Sequence, residues 1–160
     1  MAAASERAFH VLLVDDSAVV CERLSALIHQ LGDPIRVAVA AEGGRALAFF
    51  EELCPDAVVL DLELSGLIGF DRLVEFKRRR AGCVVIILTT YTYPEFRENA
   101  VRLGADHFFS KTMEFERVTE VLGTLTDTIP RWGLTPWRKD RHGRKIPAQR
   151  PGSVADQSLR

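Results

Sequence analysis

The chain is 160 residues long, 47% hydrophobic and 27% charged, with a net charge of −1, a composition for one folded core with room for an appendage rather than for a disordered protein. The near-neutral total conceals a split: residues 1–128 hold 13 Lys+Arg against 20 Asp+Glu, a net of −7, and residues 129–160 hold 8 against 2, a net of +6. No apolar stretch approaches the roughly 20 residues of a membrane span and MAAASERAFH has no signal-peptide core, so a cytoplasmic protein without a membrane partner is expected, while Cys21, Cys54 and Cys83, odd in number and without CxxC spacing, support neither a disulfide framework nor a zinc site.

Short β-branched runs alternate with longer stretches whose apolar residues recur at three and four, the pattern of βαβ units. His10–Val14 reads as a buried strand. Ser17 then caps a helix with Val20, Leu24, Leu27, Ile28 and Leu31 on one face, closed by Gly32. Asp33 and Pro34 turn the chain into a second strand, Ile35–Ala40. Gly43–Leu53 follows as a helix with Leu47, Phe50 and Leu53 inward, and Pro55 bars its continuation. Ala57–Leu60 is a third strand, LELSGLIG a loop, and Phe70–Arg80 a third helix. Cys83–Leu88 is the fourth strand, and Pro94–Leu103 the fourth helix, with Phe96, Ala100 and Leu103 on one face and Gly104 as its stop. Asp106–Phe109 is a short fifth strand. The last helix, Glu114–Asp127, turns Val118, Val121, Leu122 and Leu125 inward, and its Gly123 weakens it by about 1 kcal/mol relative to Ala. Five strands alternating with five helices predict a doubly wound α/β fold, an all-parallel sheet with helices on both faces.

Ligands of such sheets bind outside the carboxyl ends of the strands. Asp15 and Asp16, Asp61, Thr89 and Lys111 lie just past the expected ends of strands one, three, four and five. Taken singly, each has a plainer reading: Asp16-Ser17 as a helix cap, Asp61 as a turn residue, Thr89 as a strand-end hydroxyl, Lys111 as a solvated surface group. Their joint placement at one edge favours a site. Carboxylates held within about 4 Å repel by roughly 4 kcal/mol per pair at an effective dielectric near 20, so a cation must compensate them. A hard divalent ion such as Mg²⁺ does so with oxygen ligands and keeps room for phosphate oxygens. One carboxylate can then attack phosphorus, with the lysine neutralising the transferring oxygens.

These residues resemble the receiver domains of two-component response regulators, the CheY-like family, over residues 9–129. The resemblance rests on VLLVDDS, VVLDLELSGLIGF, VIILTT and RLGADHFFSK. It implies a flavodoxin-like sheet of order 2-1-3-4-5 and a signalling domain, not an enzyme, that takes a phosphoryl group from a histidine kinase or phosphotransfer protein. By the resemblance Asp61 is the phosphoacceptor. Asp16, Asp61 and the Glu63 main-chain carbonyl hold Mg²⁺, with Asp15 acting through a bound water. Lys111 contacts the phosphate, Thr89 moves to bond it, and Phe108 is the switch aromatic. Signalling would pass through the face of the fourth helix, fifth strand and fifth helix, including Tyr93, His107 and Phe108. The chain departs from the pattern at Thr112 and Ser65, where proline is common, and at Thr90, where alanine is common. Glu63, Thr90 and Tyr91 flank the approach of a hydrolytic water, and slow loss of the phosphoryl group is expected.

Residues 1–8 read as an extension and residues 130–160 as a basic tail with four prolines and no sustained period, disordered or docked. No effector domain fits in its length, and a stand-alone domain with an unknown output partner is the simplest expectation. Trp132 and Trp137 lie beside Arg131, Arg138, Lys139 and Arg141, which suits docking onto a protein or stacking on single-stranded nucleic acid. The alternative function is therefore a regulator binding nucleic acid or a partner through this tail. A phosphatase with an aspartyl-phosphate intermediate wants Asp-x-Asp followed by Thr, and Asp61-Leu62-Glu63 does not supply it. No GxxxxGK[ST] loop for a nucleotide occurs.

Overall fold

The structure, a computed structural model, describes residues 8–32, 35–64 and 67–128, with Leu67 and Ile68 as backbone, and the backbone of 137–139 and 145–147. Asp33, Pro34, Ser65, Trp132 and the receiver boundary at residue 129 lie outside the described residues. Five strands, β1 (Phe9–Val14), β2 (Ile35–Ala40), β3 (Ala57–Leu60), β4 (Val84–Thr89) and β5 (His107–Ser110), pair in parallel in the order β2-β1-β3-β4-β5. They alternate with the helices α1 (Ala18–His29), α2 (Gly43–Leu53), α3 (Phe70–Arg79), α4 (Pro94–Arg102) and α5 (Arg117–Thr128). This is the doubly wound α/β fold that the sequence predicts.

The inner strands are continuous apolar runs because they are covered on both faces. On one face Leu12, Val14, Val58, Leu60, Val85 and Ile87 meet Ala46 and Phe50 of α2, Leu73 and Phe76 of α3, and Ala100 of α4. Phe50 and Phe76 stack at 4.7 Å and join α2 to α3. Side chains of a strand alternate between faces, so Val11, Leu13, Val59, Ile86 and Leu88 are left for the opposite side. There α1 and α5 pack together, with Cys21, Leu24, Ile28, Val118 and Leu122 buried. Fixing both faces in this way fixes where every strand ends.

At the amino ends of the strands the buried Asp56 and the exposed Asp106 each have their own cation. Asp56 accepts from His10 N at 2.9 Å and lies 3.7 Å from Arg80 Nη2. Asp106 accepts from Val85 N at 2.8 Å and from Lys77 Nζ at 2.6 Å. These pairs tie the chain entering β1 and β4 to the turns before β3 and β5.

Several boundaries differ from the sequence reading. The expected loop LELSGLIG contains a two-residue antiparallel ladder, Glu63 opposite Ile68 and Leu64 opposite Leu67, too short to leave a period. Thr89 is the last residue of β4 rather than the first one past it, and α5 begins at Arg117, not Glu114. Residues 111–116 form turns wrapped around Ser110 instead. Leu31 is 38% exposed because α1 has already ended at Gln30. In α2 it is Gly43, Ala46 and Phe50 that are buried, with Leu47 and Leu53 half-buried. That helix stops one residue before Pro55, at Cys54, which takes the left-handed conformation (φ 46°). In the tail, where no element was expected, Trp137–Lys139 pairs antiparallel with Lys145–Pro147.

Two glycines distinguish backbone need from mere smallness. Gly104 follows α4 with φ +102°, and a Cβ there would also press on Lys77 Cγ at 3.3 Å. Gly123 sits inside α5 with ordinary φ, and a Cβ would meet only Leu31 Cδ2 at 3.6 Å, a normal contact. Gly123→Ala is expected to raise stability by about 0.5–1 kcal/mol, and Gly104→Ala to lower it by about 1–2 kcal/mol. Urea denaturation followed by circular dichroism measures both, and equal signs for the two changes would contradict this account.

Candidate functional site

Each charged group of the site is delivered by a strand end that is itself hydrogen-bonded to its neighbour. Asp15 follows β1 and donates its N–H to Ala40 O of β2 at 3.2 Å; Asp61 follows β3 and donates to Val14 O of β1 at 2.9 Å. Lys111 follows β5 and donates to Thr89 O of β4 at 2.9 Å. The register of the sheet thus gathers groups that are 46 to 96 positions apart in the chain into one place. Carboxylate oxygens of Asp15, Asp16 and Asp61 lie within 4.8 Å of one another. Lys111 Nζ stands 2.6 Å from Asp15 Oδ2 and 2.6 Å from Asp61 Oδ2. The remaining oxygens are also engaged, Asp15 Oδ1 by Ser17 N at 2.8 Å and Asp61 Oδ1 by Glu63 N at 3.1 Å.

Burial decides how strongly these charges act. Asp15 and Asp61 are 5% and 4% exposed, whereas Asp16 is exposed. Burial pushes the Asp15 carboxyl above its ordinary value, although the hydrogen bonds from Lys111 and Ser17 oppose the shift. For Lys111, burial works against the charge, but its bonds to Asp15 and Asp61 prevail and hold the ammonium above the usual lysine value. Cys21, whose Sγ lies 3.5 Å from Asp15 O, is pushed up to about 11 by burial and by the Asp15 charge, so it is an unreactive thiol. Unlike Asp56 and Asp106 at the other edge, Asp15 and Asp61 share one ammonium. An all-oxygen group with surplus negative charge is the donor set that a hard divalent cation takes.

The other sequence-predicted residues fall into two sets. Glu63 is joined to it through its N–H, and at the end of β4 the fully buried Thr89 accepts from Tyr91 N through Oγ1 at 3.2 Å. The Glu63 carboxylate lies close enough to Tyr91 to raise its hydroxyl pKa, and the Tyr91 ring stacks on Phe96 of α4 at 5.3 Å. Thr90 is exposed. Phe108 is not among the clustered carboxylates. It is buried in the core beside α4, where the Arg97 guanidinium covers its ring at 4.8 Å and Arg97 Nη1 donates to its carbonyl at 3.1 Å. Tyr93 is 64% exposed and His107 half-buried on this side.

Four side chains or N–H groups near the site were not singled out from sequence. Ser17 was read only as a cap, yet its N–H also fixes Asp15. Ser110 and Glu114 organise the turn after Lys111, but they stand four positions apart, one more than the spacing of a capping box, so that pattern does not flag them. Arg97 lies eleven positions before Phe108 and carries no local signal.

The sharing of one ammonium has a measurable cost. Asp61→Asn removes the repulsion between buried carboxylates and leaves Lys111 paired with Asp15, so in metal-free buffer the variant is expected to be more stable than the unsubstituted protein by about 1 kcal/mol, or about 4 °C in Tm. Adding Mg²⁺ should raise the Tm of the unsubstituted protein and leave the variant nearly unchanged. Calorimetry with and without Mg²⁺ tests this, and a variant that melts lower in metal-free buffer would contradict it.

The model of the response regulator receiver domain family matches residues 11–123. The photosynthetic apparatus regulatory protein RegA of Cereibacter sphaeroides is 29% identical over 131 residues, 82% of this chain and 70% of that protein. The probable transcriptional regulatory protein TcrX of Mycobacterium tuberculosis is 31% identical over 125 residues, 78% of this chain and 51% of that protein. The chain therefore spans about half the length of TcrX. The crystal structure of the signal receiver domain of a DNA binding response regulator from Colwellia psychrerythraea 34H superimposes with a TM-score of 0.70 at 24% identity, over 75% of this chain and 99% of that one, a likeness of fold.

Proposed function

Since the chain belongs to the response regulator receiver domain family, whose members are phosphoacceptor signalling domains that bind Mg²⁺ at an acidic pocket, we propose that Asp61 is its phosphoacceptor. The observation that carries this is the shared Lys111 ammonium, 2.6 Å from both Asp15 and Asp61 within a group of three carboxylates. In the proposed reaction an Asp61 carboxylate oxygen forms a bond to phosphorus as the bond from phosphorus to the donor's histidine nitrogen, or to the acyl oxygen of a small donor, breaks. The leaving group departs with that electron pair. Mg²⁺, held by Asp16, Asp61 and the Glu63 carbonyl, with Asp15 through a bound water, would supply neutralisation of the transferring oxygens.

Lys111 then exchanges one of its carboxylate bonds for a bond to the phosphoryl group. Thr89 gives up the hydrogen bond its Oγ1 accepts from Tyr91 N, and its hydroxyl donates to a phosphoryl oxygen. Phosphorylation adds about −1.5 to −2 charges and three acceptor oxygens, which biases the protein toward the arrangement in which Thr89 and Lys111 face Asp61. Phe108 follows Thr89, and the surface of α4, β5 and α5, with Tyr93 and His107, reports the change to an output partner. The receiver spans residues 9–129, acts in the cytoplasm, and takes its phosphoryl group from a histidine kinase or phosphotransfer protein.

Incubation with Mg²⁺ and acetyl phosphate should add one phosphoryl mass, lost on Asp61→Asn and on chelation of Mg²⁺. The absence of any mass increase in the unsubstituted protein would refute the phosphoacceptor reading. Glu63 and Tyr91 together crowd the approach of a hydrolytic water, with Thr90 beside them. Glu63→Ala and Tyr91→Ala are each expected to shorten the phosphoryl lifetime by about 3- to 10-fold, followed as decay of the phosphorylated mass after donor removal. A lifetime unchanged or lengthened in both would sink the shielding role.

A further inference from the structure

Lys111 carries the site's positive charge, yet it stands on a turn, where position is least secured by a ladder. Five consecutive N–H groups, from Ser110 to Glu114, need partners as β5 ends, and each has one. Ser110 N donates to Glu114 Oε2 at 3.1 Å, and Lys111 N to Thr89 O at 2.9 Å. Thr112 N and Met113 N both donate to Ser110 Oγ at 3.3 Å, and Glu114 N to Ser110 O at 2.9 Å. The Thr112 hydroxyl also lies 3.0 Å from Ser110 Oγ. Ser110 is 4% exposed, so the turn is wound about a buried hydroxyl.

Glu114 is in turn held from two helices. Its Oε1 accepts from Arg117 Nη1 of α5 at 2.8 Å, and its Oε2 lies 3.7 Å from Arg97 Nη2 of α4. Arg97 also stacks on Phe108 and donates to its carbonyl, so one guanidinium grips β5 and the turn that follows it. The carboxylate is charge-assisted in its bond to Ser110 N, the stronger class of hydrogen bond.

We propose that Glu114, acting through Ser110, is a positioning residue that sets the reach of Lys111 to Asp15 and Asp61, with Arg97 fixing Glu114 from α4. Neither Glu114 nor Arg97 touches the clustered carboxylates; they act through the backbone of 110–113. The catalytic consequence rests on the phosphoacceptor reading of Asp61, but the placement of Lys111 does not, and the two can be tested apart.

Two measurements separate them, made on the full chain carrying Glu114→Ala, Ser110→Ala or Glu114→Gln. The first is acylation of lysines by an N-hydroxysuccinimide ester in metal-free buffer, read by mass spectrometry, with Lys77 as the internal control because its ion pair with Asp106 lies at the opposite edge of the sheet. Glu114→Ala and Ser110→Ala are expected to raise labelling of Lys111 relative to Lys77 by about fivefold. The second is the rate of Asp61 phosphorylation by acetyl phosphate at saturating Mg²⁺, expected to fall about tenfold with the Mg²⁺ dissociation constant unchanged. Glu114→Gln keeps an oxygen acceptor for Ser110 N and should recover most of both effects, which loss of folding in the alanine variants could not imitate. Unchanged Lys111 labelling in both alanine variants, or Glu114→Gln behaving like Glu114→Ala, would overturn the proposal. If the unsubstituted protein takes no phosphoryl group while labelling of Lys111 still rises in the variants, the phosphoacceptor reading fails and the positioning role stands.

Discussion

Asp15 and Asp61 grip the same ammonium, and neither can move away, because each is tied by its own N–H to the carbonyl of an adjacent strand. In water such a crowd of charge would disperse. In the fold it is held by β1 and β3, whose residues from Val11 to Val14 and Ala57 to Leu60 are buried and whose displacement would open the core on both faces. Hydrophobic burial elsewhere thus maintains an electrostatic arrangement that is unfavourable locally. The amino edge shows the contrasting solution, in which Asp56 and Asp106 each meet a cation and a strand N–H. Acids at one edge are each matched by a cation, and at the other the buried Asp15 and Asp61 are left with surplus negative charge.

The parts around the cluster differ in how firmly they are held. Each of α1 and α2 buries three residues, but α4 buries only Ala100, and its further contacts include the Phe96 stacks on Tyr91 and Phe70 and the Arg97 grip on Phe108 and Glu114. An element with little buried surface is the cheapest to displace. Tyr91 N is bonded to the Thr89 hydroxyl, and Phe108 lies three residues before Lys111. Two of these contacts, the Phe96–Tyr91 stack and the Arg97–Phe108 grip, therefore lead to groups near the site, which gives a physical basis for a change at the carboxylates to reach an outer helix.

Much of the architecture was readable from the chain because the inner strands leave a strong signal. Ile35–Ala40, Gly43–Leu53 and Ala57–Leu60 fall at the expected residues, since β-branched runs bounded by glycine, proline or charge have few other ways to fold. The ends of β4, β5 and α5 shifted by one to three residues, where side-chain bonds rather than periodicity set the boundary. Ser110 and Glu114 replace the first turn expected of α5, and their bonds outweigh the helix propensity of a short polar stretch. The two-residue ladder at Glu63–Leu64 left no periodic trace at all.

Sequence by itself determined the fold class and the inventory of the site: which acids, which lysine and which threonine end the apolar runs. Those follow from local pattern, because a buried strand must be apolar and must stop where it meets polar residues. Tertiary structure alone decided that Asp15 and Asp61 share Lys111, that Thr89 begins with its hydroxyl bonded to Tyr91 N, and that Arg97 and Glu114 stand behind the lysine. The Lys111 and Arg97 contacts join segments far apart in the chain, set by strand register and helix packing, and no short-range pattern encodes them, while the local Thr89–Tyr91 bond depends on where β4 ends.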